Sequence, residues 1–575
     1  MKNLEIAQLL YHIADMLELQ EVPFKPQAYR NAARSIETLA EDIKAVAEKG
    51  ELNKIHGVGE HIAEKIKEIL DTGKLLYYEK LKKEVGMDLE QLLRIPSLGP
   101  KRVKLLNKEL GIKDVAGLEK AIKSGKLRTI RGFGEELEQT LLRGIELLKS
   151  HPHRFPYAQA LPIVNEILSI FKKSETVQQI EIAGSFRRGK ETVGDLDFLA
   201  VSKTPEKVMQ LFTSLPDVKE VLAKGATKSA VRLGNGLQMD LRVVKEKEFG
   251  SALLYFIGNK EHNIELRKLA LSKGYTLSEY GLFKLKGKKK IKDKNWVAGR
   301  TEEEVYKKLG MEHIPPEIRG NRGEIEAALK HQLPKLITNS DLKGLFHNHS
   351  TWSDGDNSLL EMAQRAEEMG FKFISFNDHY SRLGLLDPLT EKRLSGYLKE
   401  IEKVRKKVGI RVFSGIEIDI QKDGSLLLAR NKLKELDIVL ASMHTSLEMP
   451  EPEMTKRVCS ALENYPINIF GHPTCIRFGE RESIALNLEK VFETAKRNKV
   501  FMEINTAPNR MDLNGTKVHA ALRAGCKVAI GTDAHRLSGL ETYPLGILCA
   551  RRGWAEKKDV VNCWELKKVE KELER

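Results

Sequence analysis

The chain has 575 residues, with 96 Lys and Arg against 81 Asp and Glu, a formal net charge of +15 and a pI of about 9.2. That length predicts about four domains, and the basic balance favours a polyanionic partner, nucleic acid first. The sequence has no apolar run long enough to span a bilayer, no signal-peptide pattern and no CxxC spacing among its five cysteines. A membrane partner, a disulfide framework and a thiolate zinc site are therefore excluded, and a soluble cytoplasmic monomer with its cysteines buried as small hydrophobes is expected.

Residues 1–85 read as helical, with Ile6, Leu9, Leu10, Ile13 and Leu17 at helical spacing and a second helix over 27–39. In Asn53-Lys54-Ile55-His56-Gly57-Val58-Gly59-Glu60-His61-Ile62-Ala63-Glu64-Lys65-Ile66, the glycines predict a tight turn between two short helices. Such a turn aims backbone N–H groups at a phosphate. The unit recurs within 86–151, as Ile95-Pro96-Ser97-Leu98-Gly99-Pro100-Lys101-Arg102-Val103 and as Ile130-Arg131-Gly132-Phe133-Gly134-Glu135-Glu136-Leu137. The second copy has Ser97 where a glycine is expected, and the third is acidic where a phosphate binder prefers Lys. The plain alternative is a glycine-bearing helical turn.

Residues 152–245 alternate helix and strand. Gly184-Ser185-Phe186-Arg187-Arg188-Gly189 precedes Asp195-Leu196-Asp197, and Asp240 follows in Gln238-Met239-Asp240-Leu241-Arg242. Apolar runs at 180–183 and 196–201 predict strands, whose period of two puts Asp195 and Asp197 on one face. Asp240 on an adjacent strand completes an all-oxygen pocket suited to Mg²⁺. The Gly184-Ser185 turn offers N–H groups and a hydroxyl to phosphate, and Arg188 adds charge. Together they predict a two-metal nucleotidyl-transfer site; solvated turn acids are the alternative.

A smaller domain is expected over 246–320. Its lysine run (Lys284, Lys286, Lys288, Lys289, Lys290, Lys292, Lys294) reads equally as a solvated hairpin or a phosphate contact. Residues 321–342, with Gly320 before them and Gly323 and Pro334 within, read as a linker. From 343 to 575, apolar strands at 373–376, 438–442, 467–470, 501–504 and 528–530 alternate with helical stretches. This is a βα barrel pattern with chemistry on the C-terminal rim. The rim would carry His347, His349, Asp354, His379, Glu417, His444, His472, Asp533 and His535. Spacing puts the HxH and DxH pairs each on one strand face. Imidazole with carboxylate selects Zn²⁺, Mn²⁺ or Fe²⁺ over Mg²⁺, and several such ions suit phosphodiester hydrolysis.

The glycine turns resemble helix-hairpin-helix motifs. Residues 1–320 resemble family X DNA polymerases, the group containing DNA polymerase beta, and 343–575 resemble the polymerase and histidinol phosphatase (PHP) domain. The order is that of the prokaryotic family X polymerases with a C-terminal PHP domain. The resemblance implies a multidomain chain. It comprises α-helical helix-hairpin-helix domains (lyase-like 1–85, fingers 86–151), an α/β nucleotidyltransferase palm (152–245) and a small α+β thumb (246–320). A linker (321–342) and a distorted (βα) barrel PHP domain (343–575) complete it.

By the same resemblance, Asp195, Asp197 and Asp240 hold two Mg²⁺ ions, and Gly184, Ser185, Arg188 and Gly194 contact the triphosphate. Tyr255 and Phe256 pack on the incoming nucleotide, Gly258 allows close backbone approach, and Asn263 and Arg267 read the minor groove. Val193 and Lys260 depart from the family's serine and acid. Gly57, Gly59, Gly99 and Lys101 contact DNA backbone without reading sequence, with a monovalent cation at the turns. Lys65 falls on the family's Schiff-base lysine, Lys25, Tyr29 and Arg30 match its pocket, and His61 replaces a usual lysine. The nine rim residues imply up to three Mn²⁺ or Zn²⁺ ions, with Arg510 directed at substrate phosphate.

The implied activity is a template-directed, gap-filling DNA repair polymerase of the base-excision type, using dNTPs on gapped or primer–template DNA, with a metal-dependent 3′–5′ exonuclease. Abasic-site endonuclease, 3′-phosphoesterase and 5′-deoxyribose-phosphate lyase action are left open. The rivals are a template-independent nucleotidyltransferase with an attached phosphatase, and a DNA-binding scaffold whose PHP domain serves structure alone.

Overall fold

The structure, a computed structural model, describes residues 3–574 apart from 21, 38–42, 56, 73–74, 94, 96–97, 131–132, 135–136, 139–140, 143–144, 146–153, 286–294, 382–387 and 479–480. It divides into two units, Met1–His153 and Arg154–Arg575.

In the first unit, α1 (Asn3–Leu19) and α2 (Lys25–Glu37) bury Ile6, Leu10, Ile13 and Leu17. One hydrophobic cluster runs from Ile6 to Ile145. Helices of such modest length draw most of their stability from tertiary packing of an apolar face. The first glycine turn lies between a 3₁₀ turn (Leu52–Lys54) and α3 (Glu60–Thr72); the second leads through Gly99 into α4 (Pro100–Leu110). His56, Pro96, Ser97, Arg131, Gly132, Glu135 and Glu136 lie outside the described residues.

The second unit opens with α5 (Tyr157–Lys172) and a five-stranded sheet. Its strands are β1 (Gln179–Ile182), β2 (Asp195–Val201), β3 (Val218–Lys224), β4 (Lys228–Leu233) and β5 (Gln238–Val244), in the order β1-β2-β5-β4-β3. Strands β2 and β5 run parallel in register, with Asp197 opposite Asp240. A single helical turn, α6 (Gly184–Arg187), links β1 toward β2.

The next layer holds α7 (Phe249–Ile257), α8 (Lys260–Ser272), the antiparallel strands β6 (Tyr275–Ser278), β7 (Gly281–Lys284) and β8 (Trp296–Ala298), and α9 (Glu302–Lys308). Lys284 ends β7, and the remainder of the lysine run lies outside the described residues. The expected linker is corrected by the structure: α10 (Glu324–Leu329) packs Ala328 into this core. Glu324 is buried and accepts from His262 Nδ1 at 2.7 Å, while His262 Nε2 lies 3.1 Å from the Tyr306 hydroxyl. Without those partners a buried carboxylate would be costly.

The C-terminal sheet has nine parallel strands. They are β9 (Gly344–Asn348), β10 (Phe373–Ser375), β11 (Asp378–Tyr380), β12 (Arg411–Phe413), β13 (Gly415–Asp419), β14 (Ile438–Ser442), β15 (Ile469–Phe470), β16 (Phe501–Asn505) and β17 (Val528–Ala534). The order is β11-β13-β14-β15-β16-β17-β9-β10-β12. Residues 376 and 377 alone separate β10 from β11, yet these strands lie near opposite ends of that order. The sheet therefore curls round on itself as a distorted barrel. No helix among the described residues is long and apolar enough to cross a membrane. The cysteines are free; four are buried and Cys459 is half-buried.

Candidate active sites

The palm site follows from strand geometry. Asp195 and Asp197 project from one face of β2, and Asp240 is the cross-strand neighbour of Asp197. Burial, then the charges of Asp195 and Asp240, push Asp197 up to about 7. Burial and Asp240 also raise Asp195. Three carboxylates held this close repel one another, and a hard cation relieves the repulsion. Gly184 closes the pocket: its φ is +61°, and a Cβ built there would sit 2.3 Å from Asp197 Oδ2. Only glycine lets the α6 turn lie against the carboxylate.

Arg188 leaves α6 and donates through Nη1 to the Ile257 carbonyl, tying the turn to the end of α7. Gly258 follows there, and Arg188 Nη1 lies 3.3 Å from where its Cβ would be. Tyr255 and Phe256 meet edge to face with centroids 5.1 Å apart. Arg267 lies over the Tyr255 ring at 5.7 Å, Arg242 over the Phe256 ring at 4.6 Å, and Asn263 Nδ2 donates to the Tyr255 carbonyl at 2.8 Å. The aromatic pair and its two expected readers thus form one cluster. Ser185 sits in the α6 turn and Gly194 directly precedes β2.

The nine residues of the second constellation converge on the C-terminal rim of the barrel. Glu417 on β13 is the hub. Its oxygens lie 2.9 Å from His379 Nδ1, 2.9 Å from His472 Nε2, 3.3 Å from His444 Nε2 and 3.3 Å from His347 Nε2. Asp533 Oδ1 is 3.3 Å from His349 Nε2, and Asp354 Oδ2 is 3.3 Å from His535 Nε2.

Among the described residues, three sets bring their donor atoms within 4.8 Å of one another: His349, Asp354, His379 and His535; His347, His349 and Asp533; and His379, Glu417 and His444. His472 joins through Glu417 rather than within a set.

The donors fit cations. His347 Nε2, both ring nitrogens of His349, Asp354 Oδ1, Glu417 Oε2 and His472 Nδ1 are buried without hydrogen-bond partners. Buried polar groups are normally satisfied, so these atoms fit positive ions. Charge agrees. Burial opposes ionisation of Glu417, yet His379 and His444 hold it well below the usual carboxylate range. Burial also opposes a charge on His379, but Glu417 lifts it to about 9. Burial, then His379 and His535, push His349 down to about 3.

Strand periodicity does not deliver this geometry. His347, His472 and Asp533 have φ of +57°, +26° and +53°, left-handed values that cost non-glycine residues of order 1–3 kcal/mol each. The β9–β17 ladder slips register between Phe346 and Asn348, where Thr532 and Asp533 of β17 together face the single residue His347. The expected alternation of HxH and DxH is therefore replaced by kinks that reach the same convergence.

Supporting residues absent from the sequence reading complete the site. Glu503 on β16 accepts from His347 Nδ1 at 2.5 Å and from the His472 N–H. Asn505 Nδ2 donates to Asp533 Oδ2 at 3.1 Å. Asp378 accepts from the Ser350 N–H at 2.8 Å and the Ser353 hydroxyl at 2.8 Å, bracing the loop that carries Asp354. Asp419 accepts from the His444 N–H at 2.7 Å. Arg510 is buried, with Nε 3.7 Å from Asp533 Oδ2 and Nη1 unpartnered. A charged residue inside the apolar stretch 501–504 was the available signal for Glu503.

In the first unit, Lys65 Nζ donates to the His61 carbonyl at 3.2 Å and lies 4.8 Å over the Tyr77 ring. Arg30 pairs with Asp15 at 2.7 Å and Glu18 at 2.5 Å, Tyr29 is buried, and Lys25 opens α2. Gly59, Gly99 and Lys101 stand at the exposed starts of α3 and α4, and Gly57 precedes α3.

Comparison with known families matches a helix-hairpin-helix domain over residues 1–75 and a SAM-like helix-hairpin-helix tandem over 89–146. The DNA polymerase beta palm matches 154–241, the DNA polymerase beta thumb 252–320, and the PHP domain 346–507. The chain is 35% identical over 579 aligned residues to the DNA polymerase/3′-5′ exonuclease PolX of Bacillus subtilis (strain 168), covering 100% of both chains. It is 27% identical to DNA polymerase lambda of Rattus norvegicus, over 55% of this chain and 56% of that one. A probable phosphatase of Thermoanaerobacter sp. (strain X514) is 29% identical over 33% of this chain and 77% of its own length.

Proposed function

Because the chain belongs to the family X DNA polymerases that carry a C-terminal PHP domain, we propose that it fills short DNA gaps under template direction and trims 3′ ends at a second site. The observation that carries this reading is the pair of separate constellations: three carboxylates converging in the palm and nine His, Asp and Glu residues gathered on the barrel rim.

Divalent cations at both sites would supply acidified hydroxyls and charge stabilisation at the reacting phosphorus. Asp195 and Asp240 would hold one Mg²⁺ beside the primer hydroxyl, and Asp195 and Asp197 a second beside the triphosphate. The nine rim residues would hold up to three Mn²⁺ or Zn²⁺ ions. The α6 turn and Arg188 bind and orient the triphosphate, and Tyr255 and Phe256 flank the incoming nucleotide. Glu503 fixes the tautomer of His347 so that Nε2 faces the site. The unpartnered Nη1 of Arg510 is a donor available to a substrate phosphate. The glycine turns of the first unit would grip DNA backbone, with a monovalent cation, and the chain acts as a monomer. Lyase action at Lys65 is a separate proposal; borohydride trapping on a 5′ abasic end, lost in Lys65→Ala, tests it.

The test is primer extension on a one-nucleotide-gapped duplex with each dNTP supplied alone. Incorporation of the complementary dNTP alone supports the reading. Equal incorporation of all four would replace it with a template-independent transferase.

A further inference from the structure

The nucleotide-binding turn of the palm is held from behind by the PHP domain. Glu191, two residues past Gly189, accepts through Oε1 from Arg552 Nη1 and from the N–H of Gly515 at 3.2 Å. Arg552 ends α12 (Tyr543–Arg552), and Gly515 begins α11 (Gly515–Ala524). The glutamate thus closes a buried arginine contact and satisfies a free N–H at the start of a helix.

We infer that Arg552, in the PHP domain, is a positioning residue for the polymerase reaction: by holding Glu191 it fixes the turn that receives the dNTP triphosphate.

The path is short. The Glu191 carbonyl accepts from the Tyr157 N–H at 2.8 Å, and the Tyr157 ring stacks on Phe186 of α6 at 4.4 Å. The Lys190 N–H donates to the Ser185 carbonyl at 3.1 Å, closing the turn. Gly189 has φ +66°, and a Cβ built there would lie 2.4 Å from Leu548 of α12. The turn therefore rests directly on that helix. α12 is itself anchored, with Ile547, Cys549 and Ala550 in the barrel core. Arg188 also registers the neighbour: burial, then the Arg552 charge, push it down to about 10.

Two explanations of any Arg552 effect separate cleanly. If Arg552 acted only through its charge, its removal would weaken triphosphate binding, and removal of the Glu191 charge would strengthen it. Positioning requires both removals to weaken it. The inference rests on the polymerase reading, so wild-type extension is the control for that reading in the same assay.

The experiment measures dNTP KM and kcat on a one-nucleotide gap, exonuclease rate on a labelled single strand, and Tm, for the full-length protein. The variants are Arg552→Gln, Glu191→Gln, the double variant, Arg552→Lys and Arg551→Gln. Arg551 pairs with Glu317 at 2.8 Å and bonds the Ile337 carbonyl, so it reports general loss of interface contacts. Each single removal is expected to raise dNTP KM about tenfold with kcat changed less than about threefold, and the double variant to be no worse than either. Arg552→Lys recovers part of the loss, while exonuclease rate and the KM of Arg551→Gln stay within about twofold of wild type. Opposite KM shifts in Arg552→Gln and Glu191→Gln, unchanged KM, or a parallel fall of both activities and Tm matching Arg551→Gln would each overturn the inference. Failure of wild-type extension would instead overturn the polymerase reading.

Discussion

His347 donates its Nδ1–H to Glu503 Oε1 at 2.5 Å, and both side chains are fully buried. The carboxylate accepts only, so Nδ1 carries a proton, and Nε2 is turned toward Glu417, 3.3 Å away. Glu503 also takes the N–H of His472. One acid therefore sets the orientation of two rim histidines, one on β9 and one just past β15.

Glu503→Gln keeps the shape and removes the charge. Half-maximal exonuclease activity is expected to require about 10–100-fold more Mn²⁺, with gap filling unaffected. A metal titration of both activities checks this; an unmoved exonuclease curve would remove Glu503 from the site's support.

Gly184→Ala places a methyl group where Asp197 Oδ2 lies. Either the α6 turn or the carboxylate must shift, and displacement of about 1 Å costs on the order of 100-fold. dNTP incorporation should fall by at least that factor while 3′ trimming continues. Single-turnover extension measures it, and near-wild-type incorporation would contradict the close packing.

Acid sensitivity should appear in the thumb. Burial pushes His262 below the ordinary histidine value despite its bond to Glu324. Below pH of about 6.5 the unfolded chain binds a proton that the folded thumb refuses. Stability is therefore present above that value and lost as pH falls, by up to about 1.4 kcal/mol per pH unit for one proton. Glu324 is held low by His262 against the effect of burial, and adds loss in the same direction at lower pH. His262→Gln should flatten the slope of thermal stability between pH 5 and pH 6.5, roughly the window below the free-histidine value.

Cations should stabilise the fold without any DNA. At about 100 times its Kd, a bound ion adds about 2.7 kcal/mol. Mg²⁺ in the His349→Ala protein should raise Tm, and the added Asp197→Asn substitution should remove most of that rise. An equal rise in both proteins would place the responding ion outside the palm.

The palm was readable because its chemistry is local. Asp195 and Asp197 stand one residue apart on a strand, and period two alone faces them together. The rim residues were readable by type, since most follow or end an apolar run. Their convergence was not, because it depends on left-handed backbone at His347, His472 and Asp533. Glu503 escaped notice because its partner lies 156 residues away. Likewise Gly323 and Pro334 gave 321–342 the look of a linker, while the partner that docks Glu324, His262, sits 62 residues upstream. Buried pairings across long separations leave no periodic trace.

The most direct measurement follows one labelled primer on a one-nucleotide-gapped duplex, with and without dNTPs, for wild type, Asp197→Ala and His349→Ala. The two-site account expects Asp197→Ala to lose extension and keep trimming, and His349→Ala to do the reverse. Extension surviving Asp197→Ala, or trimming surviving His349→Ala, would contradict it.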